Sequence, residues 1–224
     1  MTTLERMPRK ARGLSTLIND VAELLREAGR LEEARALFEE ALAERRRRQG
    51  DHAPATLTSL NNLGLLHREL GQFDQARPLL AEAVEARRAT QGDRHPETLT
   101  AINNLGALLK ASGNLDEAMP LYTEALSSRR AVLGPTDPDT LTSMNNLASL
   151  MRAQGQYAAA EQLMHEAAVG ARESLGPLHP HTKIFESNYA QLQLLLRSLM
   201  NAIHIKHHGH ERGEEQYVAR RRGL

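Results

Sequence analysis

The sequence predicts an all-α fold, an α-solenoid of antiparallel helix hairpins, and three observations predict it. One phrase recurs every 42 residues, each copy holds two apolar stretches at helical spacing, and a glycine follows each stretch. "TLTSLNNLGLLHRELGQFDQARPLLAEA", beginning at Thr56, returns as "TLTAINNLGALLKASGNLDEAMPLYTEA" from Thr98. Thr56, Thr98, Thr140 and Thr182 share a column, and the register holds back to Leu14. So do Gly29, Gly71, Gly113 and Gly155; Ala34, Ala76, Ala118 and Ala160; Gly50, Gly92, Gly134 and Gly176; and Pro54, Pro96, Pro138 and Pro180. A single hairpin cannot bury both of its faces, so units with this pattern must stack.

In the first helix of a unit, Leu60, Leu63, Leu66, His67 and Leu70 form one amphipathic stripe, and Gly71 ends it with a left-handed cap. The second helix carries Phe73, Ala76, Leu79, Leu80, Ala83 and Val84 on one face. Pro78 and Pro120 are expected near its first turn, where a missing N–H is tolerated. Gly92 closes the second helix. "DPDT" opens the next unit, with Asp137 as cap and Pro138 in the first helical position. Gly64, Gly106 and Ala148 on first helices, with Ala76, Ala118 and Ala160 on second helices, leave room for close approach.

This register gives units at 14–55, 56–97, 98–139 and 140–181, then a capping helix at 182–200. On the cap, Phe185, Tyr189, Leu192 and Leu196 cover the end of the stack. A chain cut short of further repeats is the alternative. Residues 1–13, a basic extension, are expected to be partly disordered, and the His- and Arg-rich 201–224 disordered.

Composition narrows the function classes. The 28 basic and 28 acidic residues balance, which gives no global field for nucleic acid. The absence of Cys excludes disulfides and a thiolate nucleophile. No apolar run is long enough to span a bilayer, so no membrane insertion is expected, and the location expected is cytoplasmic. Arg6, Arg9, Lys10 and Arg12 precede no apolar region, so they form no secretory signal.

The Leu–Gly/Ala, Gly, Ala and Ala columns resemble the tetratricopeptide signature. The longer unit, with "LNNLG", "GQFDQARPLL", "EARR" and "GDRHPET", is similar to the repeats of kinesin light chain from about Leu14 to Leu196. HEAT and armadillo repeats match the length but not the paired Ala columns. The resemblance implies a right-handed superhelix with first helices lining its concave side. It also implies a non-catalytic adaptor that binds a partner protein. Kinesin heavy chain is a possible partner by resemblance, but neither 1–13 nor 201–224 supplies the heptads of that attachment.

On the first helix Thr58, Asn61, Leu65 and Arg68 form a second stripe, with Asn62 and Glu69 beside it. Stacking turns such positions into rows. Asn19, Asn61, Asn103 and Asn145 make one; Asn62, Asn104, Asn146 and Asn188 another, with Asp20 interrupting it; Arg26, Arg68, Lys110 and Arg152 a third. Amides pair with peptide backbone regardless of side chain, and cations favour carboxylates. The expected ligand is therefore an extended, acidic peptide segment in the concave groove. The competing reading is that the Asn62 row bonds within the scaffold and holds hairpins in register, and that the cations, which sit in last turns, stabilise helix ends without a ligand. Runs such as Arg45 to Arg48 read as solvated faces.

No cofactor is expected. His204, His207, His208 and His210 are dense enough for metal, but read as tail composition. No GxSxG, HExxH or GxxxxGK[ST] phrase occurs, so no enzyme is expected. A monomer is expected; the competing reading is a structural module whose helix faces dimerise.

Overall fold

The computed structural model describes residues 9–221, with side chains from 15 to 202. The described residues form α1 (Arg9–Glu27), α2 (Leu31–Gln49), α3 (Pro54–Glu69), α4 (Phe73–Gln91), α5 (Pro96–Ala111), α6 (Leu115–Leu133), α7 (Pro138–Ala153), α8 (Tyr157–Leu175) and α9 (Pro180–Arg221). Each even helix packs on the odd helix before it and on the one after it. In addition α3 touches α5, α5 touches α7 and α7 touches α9, whereas no comparable contact joins successive even helices among the described residues. The stack therefore curves toward its odd helices, which form the concave side.

Close approach within a hairpin follows from residue size. Gly64 faces Leu80 so closely that a built Cβ would stand 2.7 Å from Leu80 Cγ, and at Gly106 it would stand 3.1 Å from the Tyr122 ring. Ala22 and Phe38 in the first unit, and Ala148 and Met164 in the fourth, occupy the same paired columns and are fully buried. Small against large at one height lets each hairpin close without voids.

The ends of the elements follow their residues. Gly71 has φ +72° and Gly92 φ +88°, values that L side chains rarely adopt, so each chain reversal falls on glycine. Pro96, Pro138 and Pro180 open their helices, preceded by His95, Asp137 and His179. The Asp137 carboxylate accepts the Asp139 N–H at 2.9 Å. His95 and His179 do the same through Nδ1, from Glu97 and His181 at 3.2 Å.

Three expectations are corrected. Pro78 and Pro120 lie in the second turns of α4 and α6, not near the first, because those helices start at Phe73 and Leu115. Both prolines and the residues four before them, Asp74 and Asp116, are exposed, so the carbonyls they fail to serve face solvent. The backbone of 201–221 continues α9 instead of ending at 200, since no proline follows Pro180 to stop it, and α1 already begins at Arg9. Residues 1–8 and 222–224 lie outside the described residues, as do the side chains of His204, His207, His208 and His210.

The third correction concerns the arginine runs. Arg45, Arg87 and Arg129 are only 5, 4 and 3% exposed. Each staples three helices. Arg129 donates to Thr100 Oγ1 at 2.9 Å, to Ser143 Oγ at 2.9 Å and to the Asp139 carbonyl at 3.1 Å. Arg45 holds Ser59 at 2.6 Å and the carbonyls of Ala55 and Ser15. Where Ala101 replaces that serine, Arg87 turns to Glu97 at 2.6 Å. Burial pushes the Arg45 and Arg129 guanidinium pKa values down, opposed by Asp20 at Arg45 and by Asp139 and Asp137 at Arg129. The neighbouring arginines reach outward instead: Arg46–Glu82, Arg88–Glu124 and Arg130–Glu166, each at 2.7 Å, bridge successive even helices.

Removing a buried guanidinium strands its acceptors, whereas an exposed pair is cheap to lose. Arg129→Ala is expected to lower stability by about 2–4 kcal/mol, and Arg77→Ala, which breaks the exposed Arg77–Glu117 pair, by under about 0.5 kcal/mol. Urea denaturation followed by circular dichroism separates the two.

Candidate functional site

The concave side is built from one stripe of each odd helix. On α3 the stripe is Thr58, Asn61, Leu65 and Arg68; on α5 it is Thr100, Asn103, Ala107 and Lys110; on α7, Thr142, Asn145, Ser149 and Arg152. These helices touch, so side chains one unit apart meet.

The two asparagine rows meet each other rather than running separately. Asn104 Nδ2 donates to Asn61 Oδ1 at 2.8 Å, Asn146 to Asn103 at 3.2 Å, Asn188 to Asn145 at 2.9 Å, and Asn62 to Asn19 at 3.4 Å. Every junction between odd helices is thus pinned by one amide pair. The pairing spends one donor or one acceptor of each amide and leaves the rest of its capacity. Asn103 and Asn145, at 9% exposure, are the more deeply set partners, while Asn104, Asn146 and Asn188 stay half-buried. The Asn61 row is therefore more covered than the Asn62 row in the middle of the stack.

The cation row divides in two. Arg26 is neutralised, bonded to Glu23 at 2.9 Å and to Glu69 of the next unit at 2.6 Å. The column of Glu23 continues as Leu65, Ala107 and Ser149, and that of Glu69 as Ala111 and Ala153, so the acids vanish from later units. Arg68, Lys110 and Arg152 have no ion-pair partner among the described residues. Lys110 donates to Ser149 Oγ, and its pKa is lowered by burial and by the nearby charge of Arg152. Behind them the Tyr122 phenol is pushed up to about 12 by burial, a rise that the charge of Arg68 opposes. The sequence carried the signal for this division, but only a pairing 43 residues apart makes it visible.

Elsewhere Asp116, Met119, Pro120, Thr123, Gln154 and Gln156 line an open cavity of about 760 Å³ beside α6. Among the described residues no group of three potential metal ligands converges. No helix is long and apolar enough to cross a membrane.

Comparison with protein-family models matches the tetratricopeptide repeat over residues 14–89, 63–131 and 97–168. Among solved structures, the nearly identical TPR-like repeats described as a kinesin light chain of Podosopora anserina align with TM-score 0.73 and 23% identity, over 88% of this chain and 92% of that one. A variant of the same protein gives TM-score 0.73 and 22% identity, over 91% and 95%. BtubC (BKLC) from P. vanneervenii gives 0.67 and 25%, over 80% and 70%. Comparison with curated proteins finds no match.

The amide pins make a quantitative expectation. A double-mutant cycle on Asn61→Ala and Asn104→Ala should show a coupling of about 1 kcal/mol in stability. The same cycle on Asn61 and its sequence neighbour Asn62 should show almost none.

Proposed function

This chain belongs to the tetratricopeptide repeat family, and we propose that it is a non-catalytic interaction scaffold that takes an extended, acidic segment of a partner protein into its concave groove. The observation that carries the reading is the run Arg68, Lys110 and Arg152, three inward-side cations in register that have no carboxylate partner among the described residues, whereas Arg26 in the same column has two. The residual capacity of the amide rows suits the backbone of such a segment, whatever its sequence. Acidic side chains of the ligand then take the place that Glu23 and Glu69 fill for Arg26. The acidic contact belongs to the second, third and fourth units, and the first unit contributes Asn19 without a free cation.

Charged hydrogen bonds are worth about 1.5–3 kcal/mol each and neutral ones about 0.5–1.5 kcal/mol. Ordering a flexible segment costs about 2–5 kcal/mol. Half a dozen contacts then give roughly micromolar affinity, near −8 kcal/mol, as suits a reversible adaptor. The similarity to kinesin light chain repeats makes a cargo segment one such partner.

A fluorescent Glu-rich dodecapeptide and its Gln-substituted counterpart, compared by anisotropy, test this. Lys110→Glu with Arg152→Glu should weaken the Glu peptide at least about tenfold and leave the Gln peptide nearly unaffected. Arg26→Gln should change neither by more than about twofold. Equal binding of the Glu peptide by wild type and the double variant would sink the assignment.

Proton linkage gives a second check. A bound carboxylate favours charged Lys110, so its pKa, lowered in the free protein, rises on binding. Affinity for the Glu peptide should hold while Lys110 is charged and fall as pH rises through its lowered value, below the ordinary lysine range. Lys110→Arg should remove that alkaline loss.

A further inference from the structure

Each odd helix after α1 buries one face in the junction with the preceding unit. Three columns define that face. Leu66, Leu108, Leu150 and Leu192 are buried in one; Leu63 and Leu147 are buried and Leu105 and Tyr189 half-buried in the second; Ser59, Ala101, Ser143 and Phe185 are buried in the third. On α1 the same columns hold Leu24, Val21 and Leu17, which are 64, 39 and 59% exposed. Among the described residues, an apolar face that every other unit covers is therefore uncovered at the first unit. Leu14 continues it in the sequence, giving the 3-4-3 spacing of a two-helix seam.

The charges of α1 say what fits there. Its opening holds Arg9, Lys10 and Arg12 with no acid in the first turn, and its second half holds Asp20, Glu23 and Glu27 against the single base Arg26, itself paired with Glu23 and Glu69. That order opposes the helix dipole, which favours acids at the start and bases at the end. A second identical helix lying antiparallel sets each basic opening toward the other's acidic end and each dipole against its reverse.

We propose that α1 pairs antiparallel with α1 of a second copy of this chain, seam to seam across a two-fold axis. The interface is isologous, so it closes at two copies. A single helix pair falls near or below the roughly 1,200 Å² of standard interfaces, so the dimer is weak and depends on concentration. The two Asp20 carboxylates come nearest the axis, and their repulsion weakens it further. The expected monomer is then the dilute state. The concave stripe of α1, Thr16, Asn19, Glu23 and Arg26, is a different set of positions, so the proposal does not depend on the groove.

Sedimentation velocity of the full chain over a hundredfold range of concentration tests it, with circular dichroism to verify folding. The wild type should pass from monomer to dimer, Leu17→Glu and Leu24→Glu should each weaken association at least tenfold, and Asp20→Asn should strengthen it. The chain has no cysteine, so a single introduced thiol reports geometry. Oxidation of Val21→Cys should give a disulfide dimer. Glu27→Cys should not, because antiparallel pairing separates the two copies of that position by about 20–25 Å. A wild type that is monomeric throughout overturns the proposal, as do species larger than a dimer or equal cross-linking at both positions. Dimerisation only after deletion of residues 1–8 also overturns it, since the chain's own start would then cover the seam.

Discussion

Every hairpin of this molecule closes on one contact, a glycine or alanine of the first helix lodged against Phe38, Leu80, Tyr122 or Met164 of the second. That contact fixes the distance between the two helices of a unit, and the distance decides what else can be reached. Arg45 and Arg129 span from an even helix to the odd helices on either side because the backbones are already near. A bulkier residue at Gly64 or Gly106 would push the unit open, at a cost typically of about 1–3 kcal/mol. It would also move the odd helix, and the groove stripe rides on that helix.

The two edges of the stack are held by different chemistry. Neutral amide pairs join the odd helices, which touch, with one ion pair, Arg26–Glu69, added at the first junction. Long arginine–glutamate pairs join the even helices, which stand farther apart. Short side chains suit the inner edge and long ones the outer, so the curvature is written into side-chain length. Burying the staple arginines between these edges imposes a desolvation cost, visible in the lowered pKa values of Arg45 and Arg129, and hydrogen bonds to hydroxyls and carbonyls offset it.

Much of this was legible in the sequence because a period of 42 residues exposes every column at once. Hairpin boundaries, glycine stops, the Asp137 cap and the asparagine rows could be read as positions. Relations between columns could not. The bond from Asn104 to Asn61 and the ion pair from Arg26 to Glu69 both join neighbouring columns 43 residues apart, which alignment of identical positions does not reveal. Arg45 looked solvated because four arginines in a row suggest a wet face; only its recurrence as Arg87 and Arg129 hinted at a buried role. Pro78 was misplaced because a helix start shifts by a turn without changing the apolar pattern.

The unlike fastenings answer differently to salt. Dissolved ions screen the exposed outer pairs, with a range of about 8 Å at physiological strength, but do little to uncharged amides. Ionic strength therefore weakens the fastenings of the convex rim and leaves the amide pairs of the inner line much as they are. A guest held by charge would lose attraction over the same range of salt that weakens the outer rim.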